Sequence, residues 1–286
     1  MKPKVSVIIP TLGRETLYPL VKNLLKQKVN FNYEIILIPQ VPLKENELQD
    51  KRIKIHYEPR GKGFAYYRNI GIKLAKSEII VFIDDDEIPQ NLNWLNNITK
   101  PIIEGKEKVV TSGYKIELGQ GYWTDCISLL GFPGGGAIGF ETMWPLKEPS
   151  YTYHICSGNF AIHEQILRRV SNFNNNLVSG NEDVELGDKL TEKNIKIRYS
   201  PEATVYHIAR RGYFNFIKWN FLRGKSAAEY LKIKKNSGKV GGRLSSSKRI
   251  LIKVAKEKTK YLPGVLWMML NQYFWQTGGY LWRKII

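Results

Sequence analysis

Acid is scarce in this chain, and so is cysteine. Of 286 residues only 26 are Asp or Glu against 44 Lys or Arg, a formal net charge of +18. That balance favours an anionic partner: a phosphorylated substrate, an anionic membrane or a nucleic acid. It is equally the balance of a basic, soluble surface. The two cysteines, Cys126 and Cys156, lack CxxC spacing, so neither a disulfide framework nor a zinc site is indicated, and a reducing compartment fits. No signal peptide is expected, because Met1 to Lys4 leads into the strand-like run VSVII with no small-residue cleavage site. No recognisable nucleic-acid module occurs, so nucleic acid is not an expected partner.

Apolar residues make up 43% of the chain, enough for a sizeable core in one large domain or a domain with an appendage. Val5–Ile9 and Glu34–Ile38 read as buried strands, and Ile53–Tyr57 alternates as a third would. Glu15–Gln27 and Gly63–Ala75 carry apolar residues at helical spacing. Ile79–Ile83 is another buried strand, followed by a helix around Leu92–Ile103. Strands alternating with helices predict a mostly parallel, doubly wound sheet of the α/β class. Leu118–Pro149, rich in Gly and aromatics, has no period and reads as a long loop, a lid or an irregular sheet edge. Ile162–Val170 and Val184–Lys193 read as helices, and Ile195–Tyr206 as short strands broken at Pro201.

Three aspartates, Asp84, Asp85 and Asp86, stand where the Ile79 strand would end. Ligands of open α/β sheets bind at the carboxyl ends of strands. Three crowded carboxylates repel one another unless a cation or substrate offsets them; otherwise they form a solvated acidic turn. Other polar clusters stand in order along the chain: Pro10-Thr11-Leu12-Gly13-Arg14, Arg60-Gly61-Lys62-Gly63 with Arg68-Asn69, Ser157-Gly158-Asn159, and Gly180-Asn181-Glu182-Asp183.

The segments VSVIIPTLGR, GFAYYRNIGIKLAKSEIIVFIDDDEIP, SGNFAIHEQIL and GNEDVELGDKL resemble, in this order and spacing, the inverting glycosyltransferases of family 2, over roughly residues 4 to 210. The resemblance implies a GT-A fold, a Rossmann-like, mostly parallel sheet flanked by helices, and a nucleotide-sugar donor. It also implies a divalent metal, Mn²⁺ or Mg²⁺, which stabilises the departing diphosphate through hard oxygen ligands. By resemblance Asp86 ligates the metal, Asp84 faces the ribose or the metal, and Asp85 is secondary. Asp183 is then the base that takes the acceptor proton, with Glu182 binding the acceptor or holding the geometry; acids opening a helix also serve as caps. Pro10 and Thr11 would line the nucleoside, Arg14, Lys62 and Arg68 would meet the diphosphate, and Asn159 the acceptor. His207, after a short strand, is a candidate further ligand to metal or phosphate; a lone His is often structural. Many family members end the second strand in an acidic pair that reads the base, but here Glu34–Ile38 runs into Pro39-Gln40, so the base stays open.

The last third differs. Domain boundaries are expected near residues 1–210, catalytic, and 211–286, a basic, aromatic, helical extension. Tyr213–Lys232 reads as an amphipathic helix. In it and just before it, Arg210 and Arg211 offer cations to pyrophosphate or acceptor, and Trp219 offers a ring to a sugar; a helix covering the sheet is the plainer reading. Lys234–Lys248 is Gly/Ser/Lys-rich and reads as mobile. Tyr261–Trp282 holds no charged residue and is long enough to span a bilayer, yet contains Pro263, Asn271, Gln272 and Gln276. Trp267, Trp275 and Trp282, flanked by Lys258, Lys260, Arg283 and Lys284, fit a helix in the membrane interface better; a core helix or a homo-oligomer contact is the alternative. The whole reads as a metal-dependent transferase at the cytoplasmic face of a membrane, acting on a glycan or polyprenyl-linked acceptor. A nucleotidyltransferase on a similar fold, or a non-catalytic module binding glycan or anionic lipid, are the competing readings.

Overall fold

The computed structural model describes residues 2–131, 134–147, 150–234 and 240–285. The chain opens β1 (Val5–Thr11), α1 (Leu17–Leu24), β2 (Tyr33–Pro39), β3 (Ile53–Ile55), α2 (Phe64–Leu74), β4 (Ile79–Ile83), β5 (Glu87–Pro89), α3 (Trp94–Ile103), β6 (Val109–Thr111) and β7 (Tyr114–Lys115). It continues α4 (Tyr122–Leu129), α5 (Phe140–Met143), β8 (Tyr151–Thr152), β9 (Asn159–His163), α6 (Glu164–Arg169), α7 (Glu182–Glu192), β10 (Ile197–Tyr199) and β11 (Val205–His207). Three long helices close it: α8 (Tyr213–Ile233), α9 (Val240–Glu257) and α10 (Leu262–Ile285). Two compact units result: residues 1–113, 146–178 and 182–206, and residues 114–145, 179–181 and 207–286.

The first unit is built on an eight-stranded sheet in the order β3-β2-β1-β4-β9-β6-β10-β8. The β-branched runs of β1, β2 and β4 are buried along their whole length, as parallel strands covered on both faces must be. β1 runs parallel to both β2 and β4, so their chains leave the sheet at the same edge. α2 lies close over β1 because Gly71 has no side chain: a Cβ there would stand 2.3 Å from Ile8 Cγ2. Phe82 stacks on Phe160 at 4.8 Å between ring centres, and Phe173 meets Phe82 edge-on, locking β4 to β9. Ile72 of α2, Leu167 of α6 and Leu186 of α7 join the same core.

Four of the seven strand pairings in this sheet are parallel, as expected, and β9 makes it mixed by running antiparallel to both neighbours, β4 and β6. Three expectations are corrected. The helix expected over Ile162–Val170 starts only at Glu164, and its first residues belong to β9. Leu118–Pro149 is not one loop but carries α4 and α5. Of the stretch expected to be mobile, 235–239 lies outside the described residues, while 240–248 begins α9.

In the second unit α10 packs along α8. Gly224 and Gly279 bring the two backbones together: a Cβ at Gly224 would stand 2.0 Å from the Gln276 carbonyl oxygen, and one at Gly279 2.0 Å from that of Phe221. The buried Gln276 Nε2 donates to Asn220 Oδ1 across this crossing at 2.9 Å. Among the described residues no helix is long and apolar enough to cross a membrane. Helix propensity alone would make Gly224→Ala stabilising by about 1 kcal/mol. The backbone contact reverses the sign: this substitution is expected to lower the unfolding free energy by about 1–3 kcal/mol in a denaturant titration.

Candidate active site

The site grows from one buried guanidinium. Arg68 lies in the first half of α2, on the face turned to the sheet, and is 1% exposed. Its Nη2 donates to Asp84 Oδ1 at 2.9 Å, just past β4, and its Nη1 to Glu182 Oε1 at 2.7 Å, the first residue of α7. Phe64 and Phe173 lie within 5.7 Å of the guanidinium carbon. Burial works to lower the Arg68 pKa, but Asp84 and Glu182 hold it above its ordinary value. Three elements distant in sequence are thus fixed by one cation.

The aspartates after β4 divide their work. Asp85, whose side chain is 4% exposed, accepts from Thr11 Oγ1 at 2.6 Å, from the Leu12 amide at 3.1 Å and from Arg14 Nη1 at 2.6 Å. It was expected on the donor side; instead its carboxylate pins the loop after β1. Burial raises its pKa, against the pull of Arg14 and Thr11. Arg14 Nη1 also reaches Asp86 Oδ2 at 2.8 Å. Asp84 and Asp86 keep side-chain exposures of 32% and 21%, and are the members of the triplet open to a ligand.

Glu87 is the acid that sequence reasoning missed. It is 1% exposed, and burial, then Asp84 and Asp86, push its carboxyl well above the usual range. Its signal was visible as the fourth acid in the run. Gly158 explains the SGN segment: a Cβ there would stand 2.6 Å from Glu87 Oε1 and 2.8 Å from Asp84 Oδ2. The neighbouring Asn159 was expected to meet the acceptor, and that expectation is corrected. Asn159 is fully buried; its Nδ2 donates to the carbonyls of Gly113 and Ala203, and its Oδ1 accepts from Trp94 Nε1.

The remaining residues fall as follows. Pro10 is buried in β1 opposite Ile38, and the Thr11 hydroxyl is spent on Asp85. Lys62 is exposed, in the loop before α2. Asp183 opens α7 beside Glu182, partly exposed, and its Oδ1 accepts from the Val184 amide at 2.7 Å. Glu182 is raised to about 7: burial lifts it, Arg68 opposes, Asp183 adds. His207, Arg211 and Trp219 belong to the second unit. There the His207 ring lies 4.8 Å from that of Tyr114, and Arg211 Nη2 donates to Gln120 Oε1 at 2.6 Å. The Trp219 ring, expected to stack on a sugar, carries the guanidiniums of Arg210 and Arg223 at 4.6 and 4.8 Å.

Among the described residues no three His, Cys, Asp or Glu side chains gather as a metal cluster. Asp84 and Asp86 nonetheless fit a divalent cation of the kind that takes one or two carboxylates and completes its shell with phosphate oxygens and water.

The family profile described as Glycosyl transferase family 2 matches residues 6–170, which holds β1, α2, the acid run and Asn159. The chain belongs to glycosyltransferase family 2. Among curated relatives of this family 2 chain, the chondroitin synthase of Pasteurella multocida is 25% identical over 240 residues, 71% of this chain and 24% of the relative. Glycosyltransferase GlyG of Streptococcus pneumoniae is 28% identical over 122 residues, 40% of each chain. The family 2 chain therefore spans less than half the length of these relatives. A mannosyltransferase from Pyrobaculum calidifontis, solved with GDP-Man and Mn²⁺, shares the fold at a TM-score of 0.66 and 15% identity, over 99% of this chain and 88% of that one. TarS of S. aureus, solved with UDP-GlcNAc, follows at 0.54 and 18%, over 93% and 79%. These likenesses establish the GT-A fold.

Two outcomes are expected. Arg68→Met strands Glu182 as a buried, unpaired acid, and should cost about 3–5 kcal/mol in denaturant unfolding. Glu182 also carries a pH signature. Its folded pKa is raised, so its contribution to stability is fully present below 4.5 and is lost as pH rises toward about 7. Glu182→Gln should remove that falling component from urea midpoints measured across this range.

Proposed function

We propose that this chain is a metal-dependent, inverting glycosyltransferase that moves a sugar from a nucleotide-sugar to a hydroxyl of a lipid-linked or cell-surface glycan. The observation that carries the reading is the Arg68 bridge. It joins the carboxylate at the end of β4, the donor side, to the acidic pair opening α7, the acceptor side. Asp183 takes the proton of the acceptor hydroxyl, whose oxygen then bonds the anomeric carbon from the face opposite the leaving group. The bond from that carbon to the diphosphate breaks, and the electron pair leaves with the nucleoside diphosphate. A divalent cation on Asp84 and Asp86 would supply positive charge to that diphosphate. Arg14 and Lys62 supply cationic charge from the loops beside it, and Arg68 holds Asp84 and Glu182 in place.

Asp183 suits the role of base better than Glu182. Asp183 is partly exposed and within reach of an acceptor, whereas Glu182 is buried, engaged by Arg68 and, at about 7, half protonated at neutral pH. The nucleoside base stays open, because neighbours of the same fold were solved with GDP-Man and with UDP-GlcNAc. The Pyrobaculum enzyme was solved with Mn²⁺, which supports the metal. A relative named for chondroitin synthesis supports a polysaccharide acceptor. The basic, aromatic second unit supports work at the cytoplasmic face of a membrane through peripheral contact.

Mass spectrometry of the product tests the reading. Wild type should yield a glycoside with Mn²⁺ or Mg²⁺, and Asp183→Asn should lose about 10²–10⁴-fold in kcat with nucleotide affinity kept. A nucleotide-sugar as product would mean a nucleotidyltransferase. Undiminished turnover by Asp183→Asn would move the base elsewhere, and no transfer from any donor would leave a binding module.

A further inference from the structure

The charge of this chain is concentrated. Residues 207–286 hold eighteen Lys or Arg against two acids, Glu229 and Glu257, so +16 of the formal +18 lies in this stretch. Within it, α10 has two unlike faces. The inner face buries Val265, Met268, Met269, Gln276 and Gly279. The outer face shows Trp267, Leu270, Phe274, Leu281, Trp282 and Ile285, each more than half exposed. Their spacing, mostly three, four or seven residues, keeps them on one side of the helix. No charge interrupts this face from Tyr261 to Trp282. Exposed cations frame it, Lys258 and Lys260 before the helix and Lys284 at its end.

A contiguous apolar face of this length marks an interaction surface. Electrostatics choose among occupants. A second copy would bring another +16 against the first, which opposes self-association. An anionic bilayer offers what both parts of the surface need: an apolar boundary for the large side chains and negative headgroups for the cations around them. Tryptophan near both ends of the stripe suits the headgroup level.

We infer that the outer face of α10, framed by Lys258, Lys260 and Lys284, is a docking surface for an anionic lipid bilayer, with the helix lying in the membrane plane. This rests on the membrane-face reading above and names the surface and the lipid class. It makes the inner face of α10 a protein contact and the outer face a lipid contact, with no span.

Co-sedimentation of the full chain with vesicles, without donor or acceptor, tests it. Vesicles of phosphatidylcholine mixed with phosphatidylglycerol should bind wild type at least tenfold better than phosphatidylcholine alone, with the difference shrinking at high salt. The pairs Leu270→Glu with Phe274→Glu, and Lys258→Glu with Lys260→Glu, should each lose about tenfold, while donor turnover with a soluble acceptor is unchanged. Independently of any variant, brominated phosphatidylglycerol in the vesicles should quench wild-type tryptophan fluorescence. Equal binding to both vesicles, unchanged binding by either variant, or no quenching would overturn the inference. So would a wild-type dimer that Leu270→Glu with Phe274→Glu turns into a monomer. Loss of sugar transfer with vesicle binding intact would instead count against the proposed function.

Discussion

A guanidinium sealed from water is the constraint on which the first unit turns. Arg68 cannot shed its charge, and an unpaired buried cation is strongly destabilising. It therefore needs both Asp84 and Glu182, and by needing them it sets where β4 may end and where α7 may begin. The pair is not primarily a source of stability, since buried ion pairs repay little more than their desolvation. Its yield is geometry. α2 can present Arg68 only because Gly71 lets it settle on Ile8, and Gly158 leaves room beside Asp84 for Glu87. A single buried fork with two carboxylate partners holds the two sides of the site at a set separation.

Around that fork, acids of one type are given different tasks by their surroundings. Asp85 is buried among donors and shapes a loop. Glu87 is buried without comparable donors and is pushed toward its neutral form. Glu182 is buried against a cation and titrates at about 7. Asp84 and Asp86 are paired with arginines yet stay partly exposed. Adjacent residues in the acid run thus differ in function because burial and hydrogen bonding, not residue type, set the cost of their charge.

Much of this was legible in the chain. β-branched runs ending in Pro10 or Asp84 announce buried strands, and the Arg-Asn helix and acidic pair stand out by composition. What was not legible depended on tertiary pairing. Asn159 looks like a ligand-facing amide until its three partners, from Gly113, Ala203 and Trp94, are known. Ile162 has helical neighbours on one side, but its place between β4 and β6 makes it strand. The glycine-rich stretch after Leu118 hides α4 and α5 because glycines outside the helices obscure the period within them. For α10, the uncharged run from Tyr261 to Trp282 suggests a span, yet among the described residues no helix is apolar enough to cross a membrane. The glycines facing α8 decide that it is packed, and the opposite face stays apolar for another reason.

Arg68 acts as one shared partner of Asp84 and Glu182, not through two separate contacts. A double-mutant cycle with Asp84→Asn and Glu182→Gln, read by denaturant unfolding, tests this most directly. Losing either carboxylate leaves Arg68 with one ion pair, and losing both leaves it with neither, only the charge of Asp183 still acting on it. The double variant is therefore predicted to be destabilised beyond the sum of the two singles, by about 0.5–3 kcal/mol. Strict additivity would contradict the claim and leave the two sides of the site independent.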